Sequence, residues 1–371
     1  MLGLLIQLAN VSFDCLKSGK MISDFDDINL REREILKYLV TEYICTAQPV
    51  SSLALADKNI LGCSSATIRS IFADLDQKKY IYSPHRSSGR MPTEKAYRFF
   101  VESYPEMRIS LGEDERRLIQ KEYLKSDFQM EEILDVTCRI LSILTDYTGV
   151  VIGPDPDNAV LKHLELINMG QDELLIVLVT RSGTVYNKTM FLDTKIPGDF
   201  LPKISRMLNE LYKGSHLYEI RNSLIENVEV DSRELLQYYP IIAKTIQENF
   251  DLVRGNDVVF TSGVDKLFSL YAGNKSKKQL DVVGDLFESR DYLTNIFKRS
   301  TSLDDVSVLI DGDRDTRLSG LSIVSASYKM GERKIGSIGI VGPNRMDYTR
   351  VISVVEYISM LISGMITRIS N

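Results

Sequence analysis

The sequence predicts an α+β protein that opens with a winged form of helix-turn-helix and continues as a sensor-like α+β domain interrupted by a mainly helical insertion. Three observations lead there. Residues 30–101 give three apolar-striped helices, a cationic hairpin and a further helix; strand-like runs lie on both sides of a later helical block; and 371 residues are enough for two or three domains with their own cores.

The first helix is read over Leu30 to Thr46, where Ile35, Leu36, Leu39, Val40, Tyr43 and Ile44 form one stripe, and Pro49 to Asn59 supplies a second, shorter one. Ser64 suits an N-cap, after which Ile68, Ile71, Phe72 and Leu75 recur at i, i+3, i+4 and i+7, the spacing of a buried helical face. Ser65, Ala66, Arg69 and Ser70 fall on the opposite face. Small residues there let a helix come close to a DNA groove, and Arg69 can reach a guanine edge or a phosphate. Ser64, Ser65, Ala66, Thr67, Arg69 and Ser70 are therefore the candidate contacts of a recognition helix, with Asp74 and Asp76 set further from the groove.

Tyr80-Ile81-Tyr82 then reads as a short strand, and Pro84 to Arg90 as a loop of turn formers and cations. Its candidate DNA contacts are His85, Arg86, Ser88, Gly89 and Arg90, with Arg86 and Arg90 laid along phosphates and Gly89 freeing the backbone at the tip. Pro92 and Thr93 lead into a helix whose inner side carries Tyr97, Phe100 and Val101. Residues 28 to 100 hold eleven Lys and Arg against seven Asp and Glu, a local excess of four cations in a chain of net charge -6. A basic module on an acidic body fits a duplex DNA partner, since the body discourages non-specific collapse onto DNA.

Further along, Glu113 to about Tyr147 reads as helix joining this module to the body, and strands follow at Val150–Ile152, Leu161–Ile167 and Leu174–Thr180, with a turn at Arg181 to Thr184. Residues 200–250 revert to helix. Strands return at Val306–Ile310, Leu321–Tyr328 and Lys334–Val341, before a last helix from about Asp347 to Ile369. The pieces at 150–195 and 305–342 are expected to complete one antiparallel sheet.

Several functions lack their chemistry here. The four cysteines, Cys15, Cys45, Cys63 and Cys138, form no C-x-x-C, which argues for a reducing compartment and against a zinc site. His85, His163 and His216 stand near no nucleophile motif, so no catalytic residue and no cofactor is expected. Asp311 to Asp315 imitates a calcium loop, but Thr316 replaces the turn glycine and Ser322 the bidentate glutamate, so no metal is expected either. Gly336, Gly339 and Gly342 lie in and just after a strand, where close backbone packing explains them better than phosphate binding. The apolar start, MLGLLIQLANVSF, has no basic flank or cleavage site and is too short to span a bilayer; residues 1–20 read as an upstream-start extension ahead of Met21.

Two clusters of residues closely resemble the HrcA family of bacterial heat-inducible transcription repressors. The first comprises Ser64-Ser65-Ala66-Thr67-Ile68-Arg69, Pro84-His85 with Ser88-Gly89-Arg90, Pro92-Thr93 and Tyr97-Arg98-Phe99. The second comprises Gly339-Ile340-Val341-Gly342-Pro343, Arg345-Met346-Asp347-Tyr348 and Val351-Ile352, and the likeness runs from about Leu30 to the C-terminus. The resemblance implies a winged helix, a GAF-like domain with an inserted dimerisation domain, a cytoplasmic, nucleoid-associated homodimer on an inverted-repeat operator called CIRCE, and a GroEL-type chaperonin that keeps the repressor active. It also implies a division into an extension at 1–27, a winged helix at 28–104, a helical linker at 105–130, a GAF-like first part at 131–198, the insertion at 199–300 and a GAF-like second part at 301–371. Ser65 stands where the family commonly has Pro and Ser70 where it has Asn, while Arg86 and Ser88 alter the wing, which points to a shifted operator preference. The alternative is an effector-responsive regulator whose GAF-like domain binds a small ligand. A third reading, an enzyme that uses the helical module for protein contacts, is disfavoured by the sparse histidines.

Overall fold

The chain enters its first helix through a reciprocal cap. In a computed structural model describing residues 25–369, apart from 59–61, 86–87, 104–108, 127–128, 155–158, 171–172, 182, 193, 195, 225–232, 250–258, 274–276, 301–305 and 312–314, helix α1 spans Leu30–Thr46. The Asn29 side chain accepts from the amides of Arg31 and Glu32, and the Glu32 carboxylate accepts from the Asn29 amide at 2.7 Å, satisfying donors that a helix start leaves open. Ser51 caps α2 (Ser52–Asp57) and Ser64 caps α3 (Ser65–Gln77). Strand β1 (Ile81–Tyr82) pairs antiparallel with β2 (Met91–Pro92), and α4 follows over Glu94–Glu102. The anticipated inner faces are buried, including Ile35, Leu36, Leu39 and Val40 of α1 and Ile68, Phe72 and Leu75 of α3.

The expected helical run from Glu113 to Tyr147 is two helices, α5 (Glu113–Tyr123) and α6 (Met130–Thr145). Tyr123 is fully buried and its hydroxyl meets Thr137 Oγ1 at 2.7 Å, so α5 is docked on α6. Strand β3 (Thr148–Ile152) then leads to β4 (Leu161–Gly170), β5 (Glu173–Thr180) and β6 (Val185–Phe191), followed by α7 (Phe200–Tyr212), α8 (Leu217–Ser223) and α9 (Arg233–Asn249). After them come β7 (Val259–Ser262), α10 (Val264–Gly273), α11 (Lys277–Glu288), α12 (Arg290–Ser300), β8 (Ser307–Ile310), β9 (Leu321–Met330), β10 (Arg333–Pro343) and α13 (Tyr348–Ile369).

Strand pairing corrects the expected single sheet. Strands β4, β5 and β6 form their own three-stranded antiparallel meander, whose core of Leu164, Leu166, Leu174, Ile176 and Leu178 packs on Ile204 and Leu208 of α7 and Ile242 of α9. The other sheet is five-stranded and antiparallel, in the order β7-β3-β10-β9-β8. The interruption therefore falls between β3 and β7, within residues 153–258, and α10 to α12 belong with the five-stranded sheet. Alternating apolar residues fix a strand but not its partner, which is why the sequence reading put β4 and β5 in the wrong sheet.

Both faces of the five-stranded sheet are covered. Val151, Val324, Ala326, Tyr328, Ile338 and Ile340 face α6 and α13, while Val150, Ile152, Ile323 and Val341 face Leu267 of α10, Leu286 of α11 and Phe297 of α12. Helix α13 is long and apolar enough to cross a membrane, but 67% of its apolar window is buried inside the fold. Close packing accounts for two of the glycines: a Cβ on Gly339 would stand 2.2 Å from the Val324 carbonyl oxygen, and one on Gly336 would stand 2.3 Å from the Tyr328 hydroxyl.

Arg350 of α13 joins α5 to this body by pairing with Glu115 and donating to the Leu144 carbonyl at 3.3 Å. The hydrogen bond from Arg350 holds the Glu115 carboxyl below the ordinary glutamate range against the opposing pull of burial, aided by the Gly112 amide. A carboxyl depressed in the folded state contributes stability that is present above its unfolded value, about 4.3, and is lost as pH falls through the folded one. Glu115→Gln should therefore reduce stability at neutral pH and flatten the decline below about pH 5, read as urea midpoints across the acid range. An acid limb as steep as that of the unsubstituted protein would contradict this assignment.

Candidate nucleic-acid interface

Helix α3 keeps one face in the core and turns the other to solvent. Ala66, Thr67, Arg69 and Ser70 are exposed, as is the cap Ser64. Ser64 Oγ accepts the Thr67 amide at 3.2 Å and lies 3.0 Å from Thr67 Oγ1, so these two hydroxyls are tied to each other at the helix start. Ser65 is half-buried, its Oγ 3.1 Å from Ser52 Oγ of α2, and Arg69 Nε donates to the same Ser52 oxygen at 3.3 Å.

The hairpin is held at its base and organised at its tip. Val50 and Arg90 exchange both backbone hydrogen bonds, at 2.9 and 2.8 Å, joining the hairpin to the segment before α2. Gly89 is required there for space, because a Cβ would lie 2.5 Å from the Val50 carbonyl carbon and oxygen. This corrects its expected part as a source of freedom at the tip. At the tip itself, Ser88 Oγ accepts from the His85 amide at 2.9 Å, and Ser83 Oγ donates to the His85 carbonyl at 2.6 Å. Arg86 lies outside the described residues.

Arg90 has an acidic neighbour within the module. Its Nε sits 3.4 Å from Asp76 Oδ2 at the far end of α3, an ion pair that turns the side chain back onto the module. Other cations of the unit are similarly engaged: Lys78 with the buried Glu32 at 2.7 Å, Lys95 with Asp27 at 2.8 Å, and Lys58 with Glu42. Burial raises the Asp27 carboxyl, but hydrogen bonds from Lys95 and Tyr80 outweigh it and leave the group below its ordinary range. Each such pair cancels one charge of either sign and so leaves the excess of four cations in place, and Arg69 donates to a neutral hydroxyl beside the exposed face of α3.

Sequence reasoning missed two partners in this geometry, Ser52 for Arg69 and Asp76 for Arg90. Two serines after Pro49-Val50 signal a helix cap, but nothing local says that the second hydroxyl crosses to another helix.

The module is fastened to the body at one end of α1. Arg345 Nη1 donates to the Ile44 carbonyl at 3.1 Å, and the rings of Tyr97 and Tyr348 lie 5.8 Å apart. Among the described residues no cluster of His, Cys, Asp and Glu could hold a metal ion. Asp311 spends its carboxylate on the Gly320 amide and Asn344 Nδ2, and Asp315 on Arg317 and Tyr292, while residues 312–314 of the calcium-like run lie outside the described ones. Burial pushes the Cys138 thiol up, and its Sγ donates to the Gly149 carbonyl.

Residues 131–352 match the family model described as the HrcA protein C terminal domain. A heat-inducible transcription repressor HrcA of Leptospira biflexa is 36% identical over 348 residues, covering 93% of this chain and 100% of that protein. One of Geobacter sulfurreducens is 31% identical over 342 residues, covering 92% and 98%. A crystal structure of a hypothetical protein is 24% identical with a TM-score of 0.57, covering 92% of this chain and 98% of that one, a likeness of fold.

The clamp at the hairpin base can be tested directly. Gly89→Ala should force Val50 and the hairpin apart, lowering stability by about 1–3 kcal/mol and exposing the Val50 and Arg90 amides to hydrogen exchange. Unchanged protection of both amides would mean that the clamp does not form.

Proposed function

This chain belongs to the HrcA family of heat-inducible transcription repressors, and we propose that it represses by seating α3 in the major groove of an inverted-repeat operator with the hairpin beside it. In that reading the N-terminal unit is a winged helix, α3 its recognition helix and the β1–β2 hairpin its wing. The observation that carries it is the exposed edge of α3, where Ala66, Arg69 and Ser70 project from a helix whose other face is core. Small side chains permit close approach, and a guanidinium matches the O6 and N7 acceptors of guanine. Ser64, Ser65 and Thr67 shape the helix start, and His85, Arg86, Ser88, Gly89 and Arg90 form or support the wing. A DNA-binding repressor acts where the chromosome is, as a soluble cytoplasmic protein associated with the nucleoid. The resemblance to the family carries CIRCE as operator and a GroEL-type chaperonin as the partner that keeps the repressor active.

A two-fold operator calls for a two-fold protein. The meander offers the surface for a second copy: one face packs on α7, and the other leaves Ile167, Met169 and Phe191 exposed beside Leu175, Val177 and Val179. The five-stranded sheet and its helices supply the GAF-like body that joins this dimerising unit to the winged helix.

Two measurements test the reading. In a mobility-shift titration with chaperonin present, the protein should prefer a CIRCE duplex over a scrambled one, and Arg69→Ala should abolish the preference. If each protomer neutralises about four phosphates, log affinity should fall against log salt with a slope near about -7 for the dimer. Equal weak binding to both duplexes would contradict the repressor reading on this operator. Leu175→Lys with Phe191→Glu should reduce the sedimenting mass to that of one chain with melting unchanged, whereas a persisting dimer would place the interface elsewhere.

A further inference from the structure

We propose that Ser52 is a specificity-determining positioning residue: its hydroxyl fixes the direction in which Arg69 presents its guanidinium to a base pair. The inference rests on the DNA-reading role of α3 and deepens it. Ser52 is the first residue of α2, half-buried and one place beyond the cap Ser51, so its side chain is not needed to start that helix. Its oxygen instead lies 3.1 Å from Ser65 Oγ and accepts from Arg69 Nε at 3.3 Å, two positions four residues apart and so on the same side of α3. A serine hydroxyl has one proton and two lone pairs, so it can accept from Arg69 and share a proton with Ser65 at once.

The consequence for recognition is geometric. An arginine can offer a base edge either its Nε with one Nη or its two terminal Nη groups. With Nε occupied by Ser52, the terminal pair remains as the fork, and the side chain loses much of the rotamer freedom it would otherwise give up on binding. Val50, two residues earlier, holds the hairpin base through Arg90. The segment Val50-Ser51-Ser52 therefore sets the spacing between the hairpin and the Arg69 fork, although none of its three residues needs to touch DNA. Ser52 acts through Arg69, so its removal blunts discrimination between sequences while leaving attraction to phosphates in place.

The test compares the full-length protein with Ser52→Ala, Ser52→Thr, Arg69→Ala and the double variant Ser52→Ala/Arg69→Ala. Each is titrated on CIRCE and scrambled duplexes with chaperonin present, beside thermal melting. Ser52→Ala should lower the CIRCE-to-scrambled ratio about three- to tenfold with scrambled-duplex affinity and melting unchanged, Ser52→Thr should restore the ratio, and the loss should vanish in the Arg69→Ala background. The proposal is overturned if Ser52→Ala matches the unsubstituted protein, weakens both duplexes equally, or costs as much without Arg69 as with it. A protein that shows no preference before any substitution would sink the repressor reading itself, and this inference with it.

Discussion

The arrangement depends on the seam where α1 and α4 meet the loop before α13. A helix C-terminus leaves carbonyls without intrahelical donors and carries partial negative charge, and Arg345 supplies a guanidinium to one of them, Ile44. Beside it, Tyr97 and Tyr348 are buried against each other, and Tyr348 is anchored through its hydroxyl to Ser322 and to the Asn344 carbonyl. One continuous core consequently runs from Phe25 in the helical module to Ile366 in the last helix. The two motif clusters that carry the family resemblance, far apart in sequence, touch at this seam. The direction in which α3 points is thus set by the body as well as by its own module.

Electrostatics inside the module modify what charge counting suggests. Lys78 reaches the buried Glu32 that also caps α1, so one carboxylate closes a helix start and pins the end of α3. Lys95 bonds to Asp27 while lying 3.9 Å from the centre of the Tyr80 ring. These pairs hold the helices together more than they attract phosphate.

The N-terminal unit was legible because its signals are local. The cap at Ser64 and an apolar spacing of three and four residues specify α1 and α3 without reference to anything distant, and α1 was placed at its observed ends, while the second helix, read over Pro49 to Asn59, is the shorter Ser52–Asp57. The glycines at 336 and 339 were also read correctly as close packing. What escaped was pairing. Strand β7 is only four residues, lies next to a helix and completes its sheet against β3 from more than a hundred positions away, so no periodicity announces it. The meander looked like a continuation of β3 for the same reason. In the candidate site, side chains on exposed faces were identified and their internal partners were not. Whether Arg90 meets Asp76 or a phosphate is decided by geometry that spacing does not encode.

Separate cores give separate tasks to the two halves of the body. The meander with α7 to α9 has its own apolar interior and meets the five-stranded sheet through chain connections near β3 and β7 and through Arg333 of β10, which donates to His216 Nδ1 at 3.1 Å. In a pair of copies joined through the meander, as proposed above, the separation of the two α3 helices is fixed in series by the meander, this junction and the Arg345 seam. Reading two half-sites requires that separation to match a whole number of DNA turns. A small rotation at either joint is enlarged over the length of the body before it reaches α3. On that proposal, loosening one joint would cost operator binding while leaving each α3 intact.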